Sequence, residues 1–321
     1  MKWPAILLLG CCALAGPSLA QAPLPASKTA LMPFDISPFP YRGEVPEKNV
    51  PFLDVINGER RGHTAPRGGI YWEDVTYTDR RTLLSIPQGF DLRRPALIVV
   101  YFHGNGARLA RDVRDRQRVP QQVAASGLNA ALVAPQFAVD ALDSSAGRFW
   151  EPRAFAQYLD EAVDRLTDLH GDPQTRAAFA AAPVVLVAYS GGYMPAIYAI
   201  KVGGVAARLR GVVLLDAPFA EMDKYADWLS KKPPAFFVSA FGKAARNENR
   251  ELQRLLRDRG ISFQTALPKR LVAGQTAFVD VGNTVSHNDF VTSAFVTDPL
   301  RALLARVPGF SRTPDRPGGK L

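Results

Sequence analysis

Residues 183–200 read PVVLVAYSGGYMPAIYAI, and this stretch decides the fold. Its first part, residues 184–187, is a run of valine and leucine without alternation, which favours a strand buried on both faces. The two glycines and the proline that follow would break a membrane-spanning helix, although residues 177–200 carry no charge and are long enough to span a bilayer. The stretch therefore predicts a buried strand, a sharp turn at Ser190 and a helix.

The same kind of apolar run recurs along the chain and sets the fold class. The runs lie at residues 96–102, 130–134, 211–215, 235–239 and 276–281. Between them lie helical patterns, such as the apolar spacing of three and four over residues 155–166. Strands that alternate with helices predict an α/β protein with a mostly parallel central sheet and helices on both faces. Ahead of the first run, residues 71–78 and 82–86 are predicted to form paired strands.

Composition and charge limit the partners. The chain has 321 residues, of which 47% are hydrophobic, and a formal net charge of +9. The excess positive charge is mostly dispersed, so we expect no nucleic-acid partner. Five arginines lie within residues 108–118 and could attract an anion, but Asp112 and Asp115 alternate with them at helical spacing, which favours a solvated helix face.

The N-terminal residues have the pattern of a secretory signal. Lys2 precedes the apolar residues 3–19, and small residues at Ser18 and Ala20 predict cleavage near Ala20 and a secreted or periplasmic protein. Both cysteines, Cys11 and Cys12, would leave with the signal, which excludes a thiol nucleophile and leaves no transmembrane segment in the mature chain. An alternative is that residues 8–11, LLGC, form a lipoprotein box with Cys11 as the lipid anchor.

We expect four regions along the chain. Residues 1–20 are the signal peptide, and residues 21–68 form a proline-rich extended arm in which no chemistry is expected. Residues 69–310 form the α/β domain, and residues 311–321 form a flexible C-terminal tail.

The turn after residues 184–187 carries the candidate nucleophile. The sequence Ala188-Tyr189-Ser190-Gly191-Gly192 lies between a predicted strand and a predicted helix, where a strained turn lifts the serine hydroxyl out of the sheet. It resembles the nucleophile elbow of the α/β-hydrolase superfamily of serine esterases and lipases, with Ala188 where that motif has its first glycine. The resemblance covers residues 71–307 and implies the α/β-hydrolase fold, with Ser190 as the nucleophile.

A second motif follows the first predicted strand. Residues 103–106, His-Gly-Asn-Gly, resemble the superfamily's oxyanion loop. By that resemblance the backbone N–H groups of Asn105 and Gly191 would stabilise the oxyanion that forms when the serine attacks. The resemblance also implies that His103 supports the turn and transfers no proton.

The order of residues selects the base and the acid. The four histidines are His63, His103, His170 and His287, and His287 lies just past the last predicted strand, where the superfamily order Ser, acid, His implies the base. Asp216 closes the strand at residues 211–215 and is preferred as the acid. Glu248 is the alternative acid, although it is also typical of the first turn of a helix.

These residues predict a function. We expect a secreted serine hydrolase that cleaves a carboxylic ester of a small molecule through an acyl-enzyme, with Tyr189 and Tyr193 binding substrate in an apolar pocket. A non-catalytic binding protein on the same fold, and an amidase or peptidase with the same triad, remain alternatives. No metal-ligand spacing, phosphate loop or dinucleotide fingerprint is present in the sequence, so no metal or cofactor is predicted. Residues 217–232 leave no room for a large lid domain, which favours an accessible site.

Overall fold

The computed structural model describes residues 27–312 and is built on an eight-stranded sheet. Its strands are β1 (Lys28–Pro33), β2 (Arg81–Ile86), β3 (Leu97–Phe102), β4 (Ala130–Pro135), β5 (Val184–Tyr189), β6 (Leu209–Leu215), β7 (Phe236–Phe241) and β8 (Thr276–Asp280). The spatial order is β1-β2-β4-β3-β5-β6-β7-β8. Strands β3 to β8 are parallel, whereas β2 is antiparallel to both β1 and β4. The predicted mostly parallel α/β-hydrolase fold is confirmed.

Helices connect the strands. The α-helices are α1 (Glu73–Thr76), α2 (Val119–Ala125), α3 (Ala154–His170), α4 (Arg176–Ala181), α5 (Tyr193–Lys201), α6 (Met222–Ser230), α7 (Arg246–Asp258) and α8 (Pro299–Leu304). A π-helix spans Leu109–Arg116, and 3₁₀ turns span Gly147–Trp150, Pro173–Thr175, Ser190–Gly192 and His287–Asp289. Within residues 27–312 no helix has the length and apolar character needed to cross a membrane.

The core lies on both faces of the sheet, which explains the uninterrupted apolar runs. Every residue of β3, β4 and β5 is buried, because helices cover both faces of these central strands. One hydrophobic cluster includes Val100, Leu186 and Phe155 on one face, and a second includes Val99, Val187 and Val123 on the other. The alternation of neighbouring strand residues between the two clusters is the pleat of a doubly covered sheet.

The N-terminal segment is integrated into the fold, in contrast to the expected extended arm. Residues 28–33 form the edge strand β1, and two small sheets follow, one of Glu44–Val45 with Val50–Pro51 and one of Val55–Asn57, Arg60–Thr64 and Ile70–Trp72. The side chains of Phe34, Phe39 and Phe52 are at most 1% exposed and belong to the main core. Three buried aromatic rings explain why a segment rich in proline packs tightly, since each contributes a large apolar area.

The expected region boundaries can be compared with the structure at residue 68, whereas most of the two terminal regions lies outside the described residues. The division at residue 68 falls in the loop of a hairpin, because Arg60–Thr64 pairs with Ile70–Trp72 across it. The expected signal peptide, residues 1–20, lies outside the described residues. Residues 313–321 of the expected tail also lie outside them.

The predicted pairing of residues 71–78 with residues 82–86 is wrong. The chain makes a short strand at Ile70–Trp72 and then enters α1, where Glu73 and Asp74 occupy the first turn, a position that favours acidic side chains. Strand β2 instead pairs with β1 and β4.

Candidate active site

Ser190 lies at the carboxyl end of β5, in the 3₁₀ turn that leads into α5. Its φ of 50° is in the left-handed region, which is strained for a residue with a side chain and typical of functional turns. Small neighbours permit the turn: a Cβ on Gly192 would lie 2.5 Å from the carbonyl oxygen of Phe102, and one on Gly104 would lie 2.9 Å from Cβ of Ser190. The sequence-predicted strand, turn and helix at residues 183–200 are therefore present.

Ser190, His287 and Asp216 form a continuous hydrogen-bonded chain. The distance from Ser190 Oγ to His287 Nε2 is 2.7 Å, and the distance from His287 Nδ1 to Asp216 Oδ2 is 2.6 Å. The other carboxylate oxygen of Asp216 accepts a hydrogen bond from the Gly242 backbone N–H at 2.8 Å. A carboxylate facing Nδ1 keeps the proton on that nitrogen, which leaves Nε2 free to accept the serine proton.

Asp216, and not Glu248, is the carboxylate that contacts His287. Asp216 follows β6, is only 1% exposed, and has a φ of 44°, so that its carboxylate is fixed by the backbone as well as by its two hydrogen bonds. Glu248 lies in the first turn of α7 and contributes no hydrogen bond to His287. The catalytic roles themselves stay predictions.

Tyr189 supports the histidine from beneath. Its hydroxyl donates a hydrogen bond to the His287 carbonyl at 2.7 Å, and its ring stacks on the imidazole with centroids 5.3 Å apart. Phe219 contacts the same imidazole edge-on at 5.7 Å. Burial raises the pKa of Tyr189 well above its ordinary value, which keeps the hydroxyl a neutral donor. The structure thus places Tyr189 behind His287, whereas the sequence predicted a substrate-binding role for it.

The two predicted oxyanion donors, Asn105 and Gly191, are neighbours. The Asn105 side chain packs so closely on Gly191 that any Cβ at position 191 would overlap its amide oxygen. The Ser144 hydroxyl donates a hydrogen bond to that same oxygen, Asn105 Oδ1, at 3.0 Å. Within residues 27–312 the Asn105 backbone N–H donates to no backbone carbonyl, as the predicted role of an oxyanion donor requires.

His103 is fixed as a neutral support of the oxyanion loop. Its Nε2 accepts the Phe137 backbone N–H at 2.8 Å, so the ring proton is on Nδ1, which donates to the Gly104 carbonyl at 2.8 Å. Complete burial lowers the pKa of His103 to about 4. These contacts agree with the predicted supporting role, because a histidine with both nitrogens occupied by backbone groups has no free position for proton transfer.

Within residues 27–312 the proposed triad of Ser190, Asp216 and His287 forms no hydrogen bond with the remaining histidines or with the arginine cluster. His63 contacts the Phe52 carbonyl through Nδ1 at 2.6 Å, and His170 ends α3. The arginines of residues 108–118 pair with Asp112, Asp115, Asp140 and Asp298 at the surface. No group of three metal-ligating side chains is found in the described part of the chain.

A cavity of about 390 Å³ adjoins the site. Tyr193, one helical turn after Ser190, lines it together with Ser144, which bonds to Asn105. Ala220, next to Phe219, lines another side, so the cavity borders both the oxyanion loop and the support of His287. About half of its wall comes from the N-terminal segment, and the wall residues there are Val45, Pro46, Glu47, Lys48, Val50, Pro51, Asp54, His63, Thr64, Pro66 and Arg67. A volume of this size suits a small organic ligand.

Sequence reasoning missed two parts of this arrangement. Ser144 lies 39 positions from Asn105 in the chain, and no motif connects them. The cavity wall in the N-terminal segment was missed because residues 21–68 show no periodicity, the signal by which buried or facing residues are recognised.

Comparisons with known proteins gave matches to solved structures alone. No protein-family model and no curated protein matches this chain. The feruloyl esterase module from Clostridium thermocellum, solved as a mutant with sinapinate, is 13% identical, with 84% of this chain and 93% of that one covered and a TM-score of 0.45. An S-formylglutathione hydrolase from Agrobacterium tumefaciens is 11% identical. The match covers 78% of this chain and 97% of that one, with a TM-score of 0.44. A dienelactone hydrolase from Anabaena variabilis is 18% identical. The match covers 70% of this chain and 87% of that one, with a TM-score of 0.37.

Proposed function

We propose that this chain is a serine hydrolase that cleaves a carboxylic ester through an acyl-enzyme. The observation that carries the proposal is the hydrogen-bonded chain from Ser190 Oγ through His287 to Asp216, with distances of 2.7 and 2.6 Å. These distances are within the range that general-base activation of a serine requires. The cavity lined by Tyr193 and Ser144 borders the oxyanion loop and gives a small-molecule substrate a place to bind.

The mechanism follows from the positions of the groups. Ser190 Oγ attacks the ester carbonyl carbon while His287 Nε2 takes the hydroxyl proton, and the Asp216 carboxylate stabilises the imidazolium. The backbone N–H groups of Asn105 and Gly191 would stabilise the oxyanion. His287 then returns the proton to the alcohol that leaves. A water molecule, deprotonated by His287, attacks the acyl carbon and releases the acid and free Ser190.

Ser190→Ala tests the proposal. We expect this variant to lose at least about 10³-fold in kcat/KM for a 4-nitrophenyl ester, because the nucleophile is removed. It should also lose covalent labelling by a fluorophosphonate, which phosphonylates activated serines. Ser230→Ala is the matched control, since the Ser230 hydroxyl donates to the Ala226 carbonyl and accepts from Arg259, and neither partner belongs to the proposed triad.

The outcomes separate the alternatives. Unchanged ester turnover by Ser190→Ala would refute the assignment of the nucleophile. Folded wild-type protein that neither turns over esters nor reacts with the fluorophosphonate would be a binding protein on this fold. Faster turnover of an amide than of its matched ester would identify an amidase.

We also propose that the protein is exported by its N-terminal residues. The charge at Lys2, the apolar residues 3–19 and the small residues at Ser18 and Ala20 support this. The intact mass of protein expressed from the whole sequence tests it. A chain that begins at Gln21 is expected, and a chain that begins at a lipid-modified Cys11 would favour the lipid anchor instead.

A further inference from the structure

A hairpin of the N-terminal segment carries an arginine toward the candidate active site. The strands Arg60–Thr64 and Ile70–Trp72 are antiparallel, and residues 65–69 connect them. Two backbone hydrogen bonds between Ala65 and the two loop glycines close the loop, and both glycines have φ near +90°. Arg67 therefore lies at the tip of a well-defined turn.

Aromatic contacts connect this tip to the catalytic histidine. The Arg67 guanidinium carbon lies 5.4 Å from the centroid of the Phe219 ring. Phe219 in turn contacts the His287 imidazole edge-on at 5.7 Å and the Tyr193 ring at 6.2 Å. One aromatic ring thus separates the guanidinium from the base of the proposed triad, and Arg67 lines the same cavity as Tyr193 and Ser144.

The charge of Arg67 is not neutralised by the protein. Within residues 27–312 its guanidinium has no carboxylate oxygen within 4.0 Å, the limit for an ion pair. The carboxylates around the cavity have other partners. Glu47 and Glu221 both pair with Lys224, whereas Asp143 accepts from the Tyr77 hydroxyl at 2.8 Å. Asp54 accepts the Thr64 backbone N–H at 2.7 Å.

We propose that Arg67 determines specificity by binding a carboxylate of the substrate, so that the preferred substrates are esters that carry a second, free carboxylate. This inference rests on the proposed function. A guanidinium that lies over an aromatic ring and forms no ion pair keeps N–H groups for a ligand, and these match the two oxygens of a carboxylate. The preference would be electrostatic and directional, and the apolar lining of the cavity would hold the remainder of the substrate.

Two matched pairs of esters test this. The first compares 4-nitrophenyl butyrate with the 4-nitrophenyl monoester of succinic acid, which adds a carboxylate to the acyl group. The second compares methyl 4-acetoxybenzoate with 4-acetoxybenzoate, which adds a carboxylate to the leaving group. The measured quantity is the ratio of kcat/KM for the anionic ester to that for the neutral ester within each pair.

Arg67→Gln should lower this ratio about tenfold in at least one pair, through a higher KM for the anionic ester. Arg67→Lys keeps the charge and should retain part of the preference. Arg61→Gln is the matched control, since Arg61 is exposed on the same hairpin and does not line the cavity. Higher salt should lower the wild-type ratio, because the guanidinium is exposed to solvent.

Equal ratios for the wild type and Arg67→Gln in both pairs would overturn the inference and leave the proposed hydrolase intact, provided that Ser190 is still labelled by the fluorophosphonate. A fall of the same size in Arg61→Gln would also overturn it, since a general field effect of the hairpin would then suffice. Absence of turnover and of labelling in the folded wild type would end both proposals.

Discussion

Asp216→Asn is the substitution whose effect the structure defines most closely. The Asp216 carboxylate accepts two hydrogen bonds, one from His287 Nδ1–H at 2.6 Å and one from the Gly242 N–H at 2.8 Å. An asparagine of the same shape has one oxygen and one NH₂ group, so it can accept only one of them. If its oxygen faces Gly242, its NH₂ faces Nδ1, and two donors then meet.

This conflict is relieved when the imidazole moves its proton from Nδ1 to Nε2. The proton then faces Ser190 Oγ, and the histidine no longer accepts the serine proton. The opposite orientation of the amide sets its NH₂ against the Gly242 N–H, which leaves a buried donor unpaired at a cost of about 1–3 kcal/mol. The first orientation is therefore favoured, and kcat should fall about 10⁴-fold, equivalent to about 5 kcal/mol of transition-state stabilisation.

The assay is the hydrolysis of a 4-nitrophenyl ester at pH 7.5, with urea unfolding to show that the variant is folded. Glu248→Gln is the control, because it removes a carboxylate that does not contact His287, and its kcat should stay within about twofold of the wild type. If Asp216→Asn retained a tenth of the wild-type kcat, or if Glu248→Gln lost as much activity, the assignment of Asp216 as the acid would be refuted.

Two further predictions concern the support of the oxyanion loop. Ser144→Ala removes the hydroxyl that donates to Asn105 Oδ1 at 3.0 Å, so kcat should fall about three- to tenfold with KM nearly unchanged, and an unchanged kcat would show that Ser144 does not position the loop. The pKa of His103 is lowered by burial to about 4 from an ordinary value near 6.5, so the unfolded chain takes up a proton below pH 6.5 that the folded chain does not. The free energy of unfolding should therefore decrease by about 2 kcal/mol as the pH is lowered from 7.5 to 5. In urea unfolding, His103→Gln should remove this part of the pH dependence. The same pH dependence in the variant and the wild type would contradict the prediction.

The sequence predicted the parts of the fold that depend on uninterrupted apolar runs. The runs that became β3, β4 and β5 are buried on both faces, and this burial is what removes the alternation from their sequences. The resemblance to the α/β-hydrolase order Ser, acid, His then led to the prediction that Ser190, Asp216 and His287 act together, with Glu248 as the alternative acid.

What the sequence left out depends on contacts between distant residues. Phe39 and Phe52 are buried against each other and against Tyr77, yet nothing periodic surrounds them in the sequence, so the segment was predicted to be extended. Tyr189 was predicted to face a pocket because aromatic residues line many binding sites, but its hydroxyl has the His287 carbonyl as its acceptor, 98 positions away. Pairings of this kind follow from tertiary structure and have no local signal.

The small three-stranded sheet that contains the Arg67 loop is separate from the large sheet, whose strands precede Ser190, Asp216 and the turn of His287. The large sheet thus positions the proposed triad, whereas the N-terminal segment with the small sheet forms about half of the cavity wall. Substitutions or insertions in that outer loop could change which molecules are admitted without altering the inner scaffold. Substrate preference could therefore change through the Arg67 loop while the residues of the proposed triad stay the same.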